Sequence, residues 1–485
     1  MAPFTLDSLR EQIRGSVIGP DDPGYDEARA VYNGMINKRP AVVVRPSQVA
    51  DVMTGIAFAR EHELPVAVRG GGHSAPGFGT VDGGLVIDFA AQTGVRVDPA
   101  TETARSGPGA TWADFNHATH AFGLATTGGI IGSTGVSGLT LGGGIGYLSR
   151  QYGLSCDNLL SADVVTADGR FLVASETENA DLFWALRGGG GNFGVVTSLE
   201  FRLHPVDTIY GGVVIYPAAE AETVGRFFRD FIADAPEEFG AFFGFHLGPP
   251  VPFLPEDWHG KPVCVIVGAW TGPLDEGEKR WKPILDAAPV VGSFVGPLPY
   301  PVLNGLFDPM LPKGMQAYWK ADFLSALTDD ALRVAVGFGS RIPSLESANH
   351  FYPIDGAVHR VAPGATAFAY RNVAFAPAIA GMWHDPADNA ANIRWVREYW
   401  EALHPFAEPG GYINFMDADD QGRIAQNYGP NYERLAAVKA VYDPDNVFHV
   451  NQNISPRVGA PSPGAQSAGA PSPESQGGGV TSVED

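Results

Sequence analysis

The sequence predicts an α+β protein of two domains, the first of which the chain leaves and later rejoins. Three observations predict it. Residues 1–205 alternate short apolar strands with short helices. From Val206 the strands lengthen, the helices become aromatic on one face, and prolines interrupt the chain often. Residues 427–454 then regain the texture of the first part. The resulting boundaries are 1–205, 206–410 and 411–456, with a tail at 457–485. A chain of 485 residues can build two substantial cores. The tail is Gly, Pro, Ser and Ala with almost no large apolar residue, and reads as disordered. Its near-repeat of GAPSPG and GAPSPE is low complexity, and no fold-scale repeat stands out elsewhere.

The elements follow in order. Ser47 opens a helix whose Val49, Val52, Met53 and Ile56 share one face. Residues 65–68 form a strand that runs into three glycines, and 85–89 form a second apolar strand. Thr111, with Asp114 three residues on, makes a capping box for a helix through His120. Residues 164–173 read as a hairpin turning at Ala167, Asp168 and Gly169. Val195, Thr197, Leu199, Phe201 and Leu203 alternate as strand residues do. In the second part, 263–270 is a long strand, and 223–232 and 392–403 are helices.

Composition narrows the function. With 45% apolar and 18% charged residues the chain reads as a soluble globular protein. Its 54 acidic and 32 basic residues leave a net charge of −22. That field repels phosphate backbones and anionic lipid, so no nucleic-acid or membrane partner is expected. Two cysteines, Cys156 and Cys264, do not make a disulfide framework. The opening residues MAPFTLDSLREQIRGS lack the apolar run of a leader, and no stretch has the length of a membrane span. A cytoplasmic location is expected.

Glycine clusters at 70–72, 128–138, 142–146 and 188–194 are the strongest local signal. Consecutive backbone N–H groups in such loops form concave anion sites that suit a pyrophosphate. Four clusters together point to a large phosphate-bearing cofactor. There is no G-x-x-x-x-G-K-[ST], no G-x-S-x-G and no C-x-x-C, and LTLGGGIGYL lacks the spacing of the dinucleotide fingerprint. EHELP lacks the second histidine of a zinc helix, and no metal site is expected. His73, directly after three glycines, is by itself open to four readings: a packed loop residue, an acid or base, a ligand, or a point of attachment.

Three stretches carry a resemblance. They are VAVRGGGHSAPGFGTVDGGLVIDF; GIIGSTGVSGLTLGGGIGYLSRQYGLSCDNLLSADVVTADG with the following LFWALRGGGGNFGVVTSLEFRL; and YGPNYERLAAVKAVYDPDNVFHVNQNI. The chain resembles the berberine bridge enzyme-like FAD-linked oxidoreductases of the vanillyl-alcohol oxidase (PCMH-type) superfamily. The resemblance implies an FAD-binding domain of two α/β subdomains and a substrate domain whose antiparallel sheet is covered by helices. It implies FAD bonded covalently to His73, beside Arg69, Gly70, Gly71, Gly72, Ser74 and Gly77. It places Gly132, Ser133, Thr134, Gly135 and Gly138 along the flavin, with Thr134 in the oxygen-facing wall. Gly143, Gly144, Gly146, Tyr147, Cys156 and Asp157 follow. Gly194, Val195 and Val196, then Asn451 and Asn453, complete the cofactor set. Many members add a cysteinyl link, and Ile131 stands at that position here, so a single link is expected. Cys156 is expected to be a free thiol packed near the cofactor and Cys264 a core residue.

The implied reaction moves a hydride from a substrate carbon to flavin N5, with dioxygen as acceptor and hydrogen peroxide as product. Alcohols, sugars and aromatic or polycyclic natural products are the candidate substrates. The second-domain tryptophans (Trp270, Trp319, Trp383, Trp395, Trp400) hint at a ring-bearing one. A tyrosine base needs a neighbouring charge or hydrogen bonds that lower its pKa. Tyr428 in NYGPNY is the first choice. Tyr370 beside Arg371, on a strand, and Tyr412 with Asn414, on one face of an adjacent strand, are the others. The alternatives are a dehydrogenase or oxidative cyclase using another acceptor, and a non-catalytic flavin-binding protein. Oligomeric state is left open.

Overall fold

The structure is a computed structural model that describes residues 5–456. The expected disordered tail lies outside the described residues.

Three larger sheets organise the chain. A four-stranded sheet carries Val42–Arg45, Val66–Arg69 and Leu85–Asp88, with the last parallel to the other two and Ser16–Ile18 antiparallel at the edge. The helix Val49–Glu61 makes the parallel crossover, as its apolar stripe requires. The second sheet has five antiparallel strands around Val195–Arg202 and Leu159–Val165. The capping box is present: Thr111 N–H donates to the Asp114 carboxylate at 2.9 Å, and Asp114 N–H donates back to the Thr111 hydroxyl at 3.3 Å. The third sheet has seven antiparallel strands, all between Thr208–Pro217 and Phe375–Trp383.

Period-two alternation gives that third sheet two unlike faces. Phe243, Phe245, Phe351, Ile379 and Trp383 point into a core closed by the helices Ala221–Asp234, Asp329–Gly339 and Asn389–Leu403. The opposite face carries His246, Ala348, His350, Tyr352, Ala378 and Ala380, and borders a cavity. Short alanines in the middle of that face keep its floor low.

The last helix, Tyr432–Tyr442, returns to the first part of the chain. Leu435, Ala436, Val438 and Tyr442 share a core with Trp112, Phe183 and Phe193. Lys439 is fully buried there, donating to Asn192 O at 2.7 Å, Phe448 O at 3.0 Å and the Asp443 carboxylate at 2.5 Å. Among the described residues, no helix is long and apolar enough to cross a membrane.

Candidate active site

One cavity runs from the glycine loops to the open face of the seven-stranded sheet. Within it the centre of a water molecule can range over about 360 Å³. Its first wall is backbone. The strand Val66–Arg69 delivers Gly70–Gly72, and Gly72 holds a φ of +73°, in the left-handed region that glycine favours. A Cβ on Gly71 would stand 2.5 Å from Gly135 N and 2.6 Å from Gly135 Cα, so the two loops touch only because both residues are glycine. Gly138 and Gly191 also line the cavity, and a Cβ on either would meet no protein atom within 4 Å.

His73 stands at the end of this wall, half-buried and stacked on Tyr32 at 3.9 Å between ring centres. Its Nε2 shares a 2.9 Å hydrogen bond with Ser133 Oγ, whereas Nδ1 has only a 3.5 Å contact with Thr134 Oγ1. Loss of solvation pulls its pKa down to about 4, so the ring is neutral with a lone pair at neutral pH. Across the cavity, Asn451 Oδ1 and Gln452 Nε2 are buried without a partner, while Asn451 Nδ2 is held by Gly191 O at 3.0 Å. Unpaired buried polar atoms beside a glycine cradle suit a polar, elongated ligand. These features fit FAD.

Some of the expected cofactor contacts lie elsewhere. The Arg69 guanidinium is committed to Asp88 at 2.8 Å and to the carbonyls of Ala28 and Ala30, so only its flank faces the cavity. Gly143, Gly144, Gly146, Tyr147, Cys156 and Asp157 stand behind the wall rather than on it. Cys156 N–H donates to Gly143 O at 2.8 Å, and burial pushes its thiol pKa up, leaving an inert, packed thiol. Gly132 N–H is held by Asp308 at 2.7 Å, and Ser133 reaches the site only through His73. Gly77 (packed on Ile36), Val195 and Asn453 do not line the cavity. Ser74, Gly70–Gly72, Thr134, Gly135, Gly138, Gly194, Val196 and Asn451 do.

The tyrosines separate clearly. Tyr370 and Arg371 sit in a loop, not a strand, and do not line the cavity. Arg371 is fully buried, donating to Asp157 through two 2.7 Å bonds and to Thr366 Oγ1 at 2.6 Å. Tyr370 donates to Gln426 O at 2.6 Å, and Arg371 is turned away from it onto Asp157. Tyr412 caps a short helical turn over Ile413–Phe415 instead of lying on a strand. The turn still brings it to Asn414, whose Nδ2 donates to the Tyr412 oxygen at 2.8 Å, and Gly144 N–H donates to the same oxygen at 2.8 Å. Tyr428 lines the cavity but directs its hydroxyl at Gly189 O (3.1 Å) and Gln452 O (3.2 Å). Burial raises the Tyr428 pKa, and its O–H is held by the two carbonyls, an arrangement that favours the protonated phenol.

The far wall consists of residues the sequence reading did not select as a site. His246, Phe307, Trp319, Glu346, His350, Tyr352 and Phe415 line it. Of the five tryptophans named as a substrate hint, only Trp319 faces the cavity, and Trp270, Trp383 and Trp395 are core. The signal was present in FGFHL and NHFYP, where period two puts His246 on the face of Gly244 and His350 on the face of Tyr352.

A glycine-lined pyrophosphate cradle, a neutral histidine at its end and an aromatic pocket beyond define a flavin-dependent oxidoreductase. The family model for the FAD binding domain matches residues 40–175, and that described as berberine and berberine like matches 411–455. An uncharacterized FAD-linked oxidoreductase of Bacillus subtilis (strain 168) is 30% identical over 456 residues, covering 92% of this chain and 98% of its own. The (R)-6-hydroxynicotine oxidase of Paenarthrobacter nicotinovorans is 30% identical over 464 residues, covering 92% and 97%. A crystal structure of 6-hydroxy-D-nicotine oxidase from Arthrobacter nicotinovorans superposes with a TM-score of 0.82 at 27% identity, over 92% of this chain and 98% of the other. The chain belongs to the berberine bridge enzyme-like family of FAD-linked oxidoreductases, and it is an enzyme of that kind.

Proposed function

We propose that the protein is an oxidase carrying FAD on His73 through a single covalent bond. Its substrate is a small ring-bearing molecule with an oxidisable C–H next to an O–H. The observation that carries this reading is the continuity of one cavity from His73 to Trp319, Tyr352 and Phe415. FAD, when bound, supplies hydride acceptance and passes the electrons to dioxygen, giving hydrogen peroxide. The chain supplies the rest. His73 Nδ1 is the nitrogen free for attachment, because Nε2 is engaged by Ser133. Ile131 lines the cavity and has no sulfur for a second link. Asn451 and Gln452 offer buried polar atoms to the cofactor. Phe307, Met310, Trp319 and Phe415 exclude water and hold an apolar ring. The name of the hydroxynicotine-oxidising relative, whose substrate carries a ring, supports that class. In this reading 1–205 and 411–456 serve the cofactor and 206–410 the substrate. A cytoplasmic setting accords with two free, buried cysteines.

The test is acid precipitation followed by peptide mass mapping, together with oxygen uptake on benzyl alcohol, 1-phenylethanol and 4-hydroxybenzyl alcohol. Yellow colour in the pellet on the His73 peptide alone, with peroxide formed, is the expected result. Flavin in the supernatant would remove the covalent assignment. Flavin bleaching without oxygen uptake would make the protein a dehydrogenase.

A further inference from the structure

Three side chains on the cavity face of the seven-stranded sheet form a continuous hydrogen-bonded chain. His246 Nε2 lies 2.8 Å from His350 Nε2, and His350 Nδ1 lies 2.7 Å from the Tyr352 hydroxyl. All three are buried and border the substrate end of the cavity. His246 comes from Phe239–Leu247 and the other two from the neighbouring antiparallel strand Ala348–Pro353, where Gly244 is paired with His350. Gly244 makes the bond possible. A Cβ there would stand 2.6 Å from His350 Cδ2, within the space the ring occupies as it reaches across to His246.

We infer that His246, His350 and Tyr352 act as the proton acceptor for the substrate hydroxyl, a role that rests on the oxidase reading above. A bond between two ring nitrogens holds one hydrogen, so the tautomers are coupled. When Tyr352 O–H donates to His350 Nδ1, His350 Nε2–H must donate to His246 Nε2. In the oxidation the substrate O–H bond breaks and its proton goes to the Tyr352 oxygen. The Tyr352 proton passes to His350 Nδ1, and the proton on His350 Nε2 passes to His246 Nε2. Bound FAD would take up the electron pair of the C–H bond as hydride, leaving a C=O bond on the substrate. The chain gains one proton and ends with His246 as an imidazolium, stacked on Phe307 at 5.8 Å between ring centres.

The surroundings suit an acceptor that begins neutral. Burial pulls His246 down to about 4 and His350 well below its ordinary value, so both rings start neutral, and the imidazolium formed on His246 is a transient that gives its proton up again. Tyr352 is the end nearer the glycine wall, sharing a small side pocket with Ile130 and Ile145. The bonds joining the three groups run from side chain to side chain, so a shift of protons along them leaves the backbone undisturbed.

The test is anaerobic flavin bleaching by the three alcohols above. Tyr352→Phe and His350→Gln should each slow bleaching by about 100-fold or more. Both should keep flavin in the acid pellet, and after dithionite reduction both should reoxidise in air as the wild type does. Gly244→Ala should slow bleaching in the same direction by pushing the His350 ring off His246. His246→Gln serves if a strand variant fails to fold. Bleaching within about threefold of wild type in Tyr352→Phe and His350→Gln would overturn the relay while leaving the oxidase reading intact. A wild-type protein bleached by none of the three alcohols would overturn the oxidase reading, and the relay with it.

Discussion

Around a single cavity, the loops at 69–74 and 132–138 present backbone, whereas the strands Phe239–Leu247 and Ala348–Pro353 present side chains. The first wall touches its opposite loop glycine to glycine, with no room for a methyl group at Gly71. The second presents His246, Ala348, His350 and Tyr352, and its shape is set by which side chains are long. A cofactor shared by a family can be held by backbone that every member can make. A substrate particular to one member has to be read by side chains.

The largest effect expected on the first wall comes from His73→Ala, which should move all acid-stable flavin into the supernatant while the fold persists by circular dichroism. Next is the clamp between the walls. Arg371 is fully buried against Asp157, which follows the cofactor loops, while Arg371 precedes the sheet strand Phe375–Trp383. Asp157→Asn leaves the guanidinium buried without its charge partner and should cost about 3–5 kcal/mol in denaturant unfolding. Gly71→Ala should cost about 1–3 kcal/mol, with weaker flavin retention, because the obstructing atoms are backbone.

Acid should act on the second wall. Burial pulls His246 down to about 4 from its ordinary 6.5, and pulls His350 well below its ordinary value. The unfolded chain therefore takes up protons first on acidification. These groups leave stability intact above about 6.5 and withdraw it as pH falls from 6.5 toward 4. Replacing both with Gln should flatten that decline in melts recorded from pH 7 to 4. The smallest effect is expected for Tyr428→Phe, which removes one donor to two carbonyls, costs about 1 kcal/mol and leaves bleaching near the wild-type rate.

What was legible in the sequence follows the same division. The capping box at Thr111 and the hairpin at 167–169 depend on neighbours in the chain and could be read directly. The glycine wall was legible because close backbone approach dictates a residue type. AFAYRNVAF alternates like a strand, yet Asp157, far away in sequence, captures Arg371 and holds the segment as a loop. For Tyr412 and Asn414 the pairing was right and the element wrong, since a tight turn also brings residues two apart together. His246 and His350 are 104 residues apart, and only strand register joins them. No local pattern in either segment carries that register.

Lys439 has a consequence for how the enzyme is made. It closes the glycine loop at Asn192 from a helix encoded after the entire seven-stranded sheet. On the ribosome that contact therefore cannot form until the seven-stranded sheet and the helix after it have emerged. Flavin capture is then a late event, and a nascent chain truncated before Tyr432–Tyr442 should be released colourless even where His73 is intact.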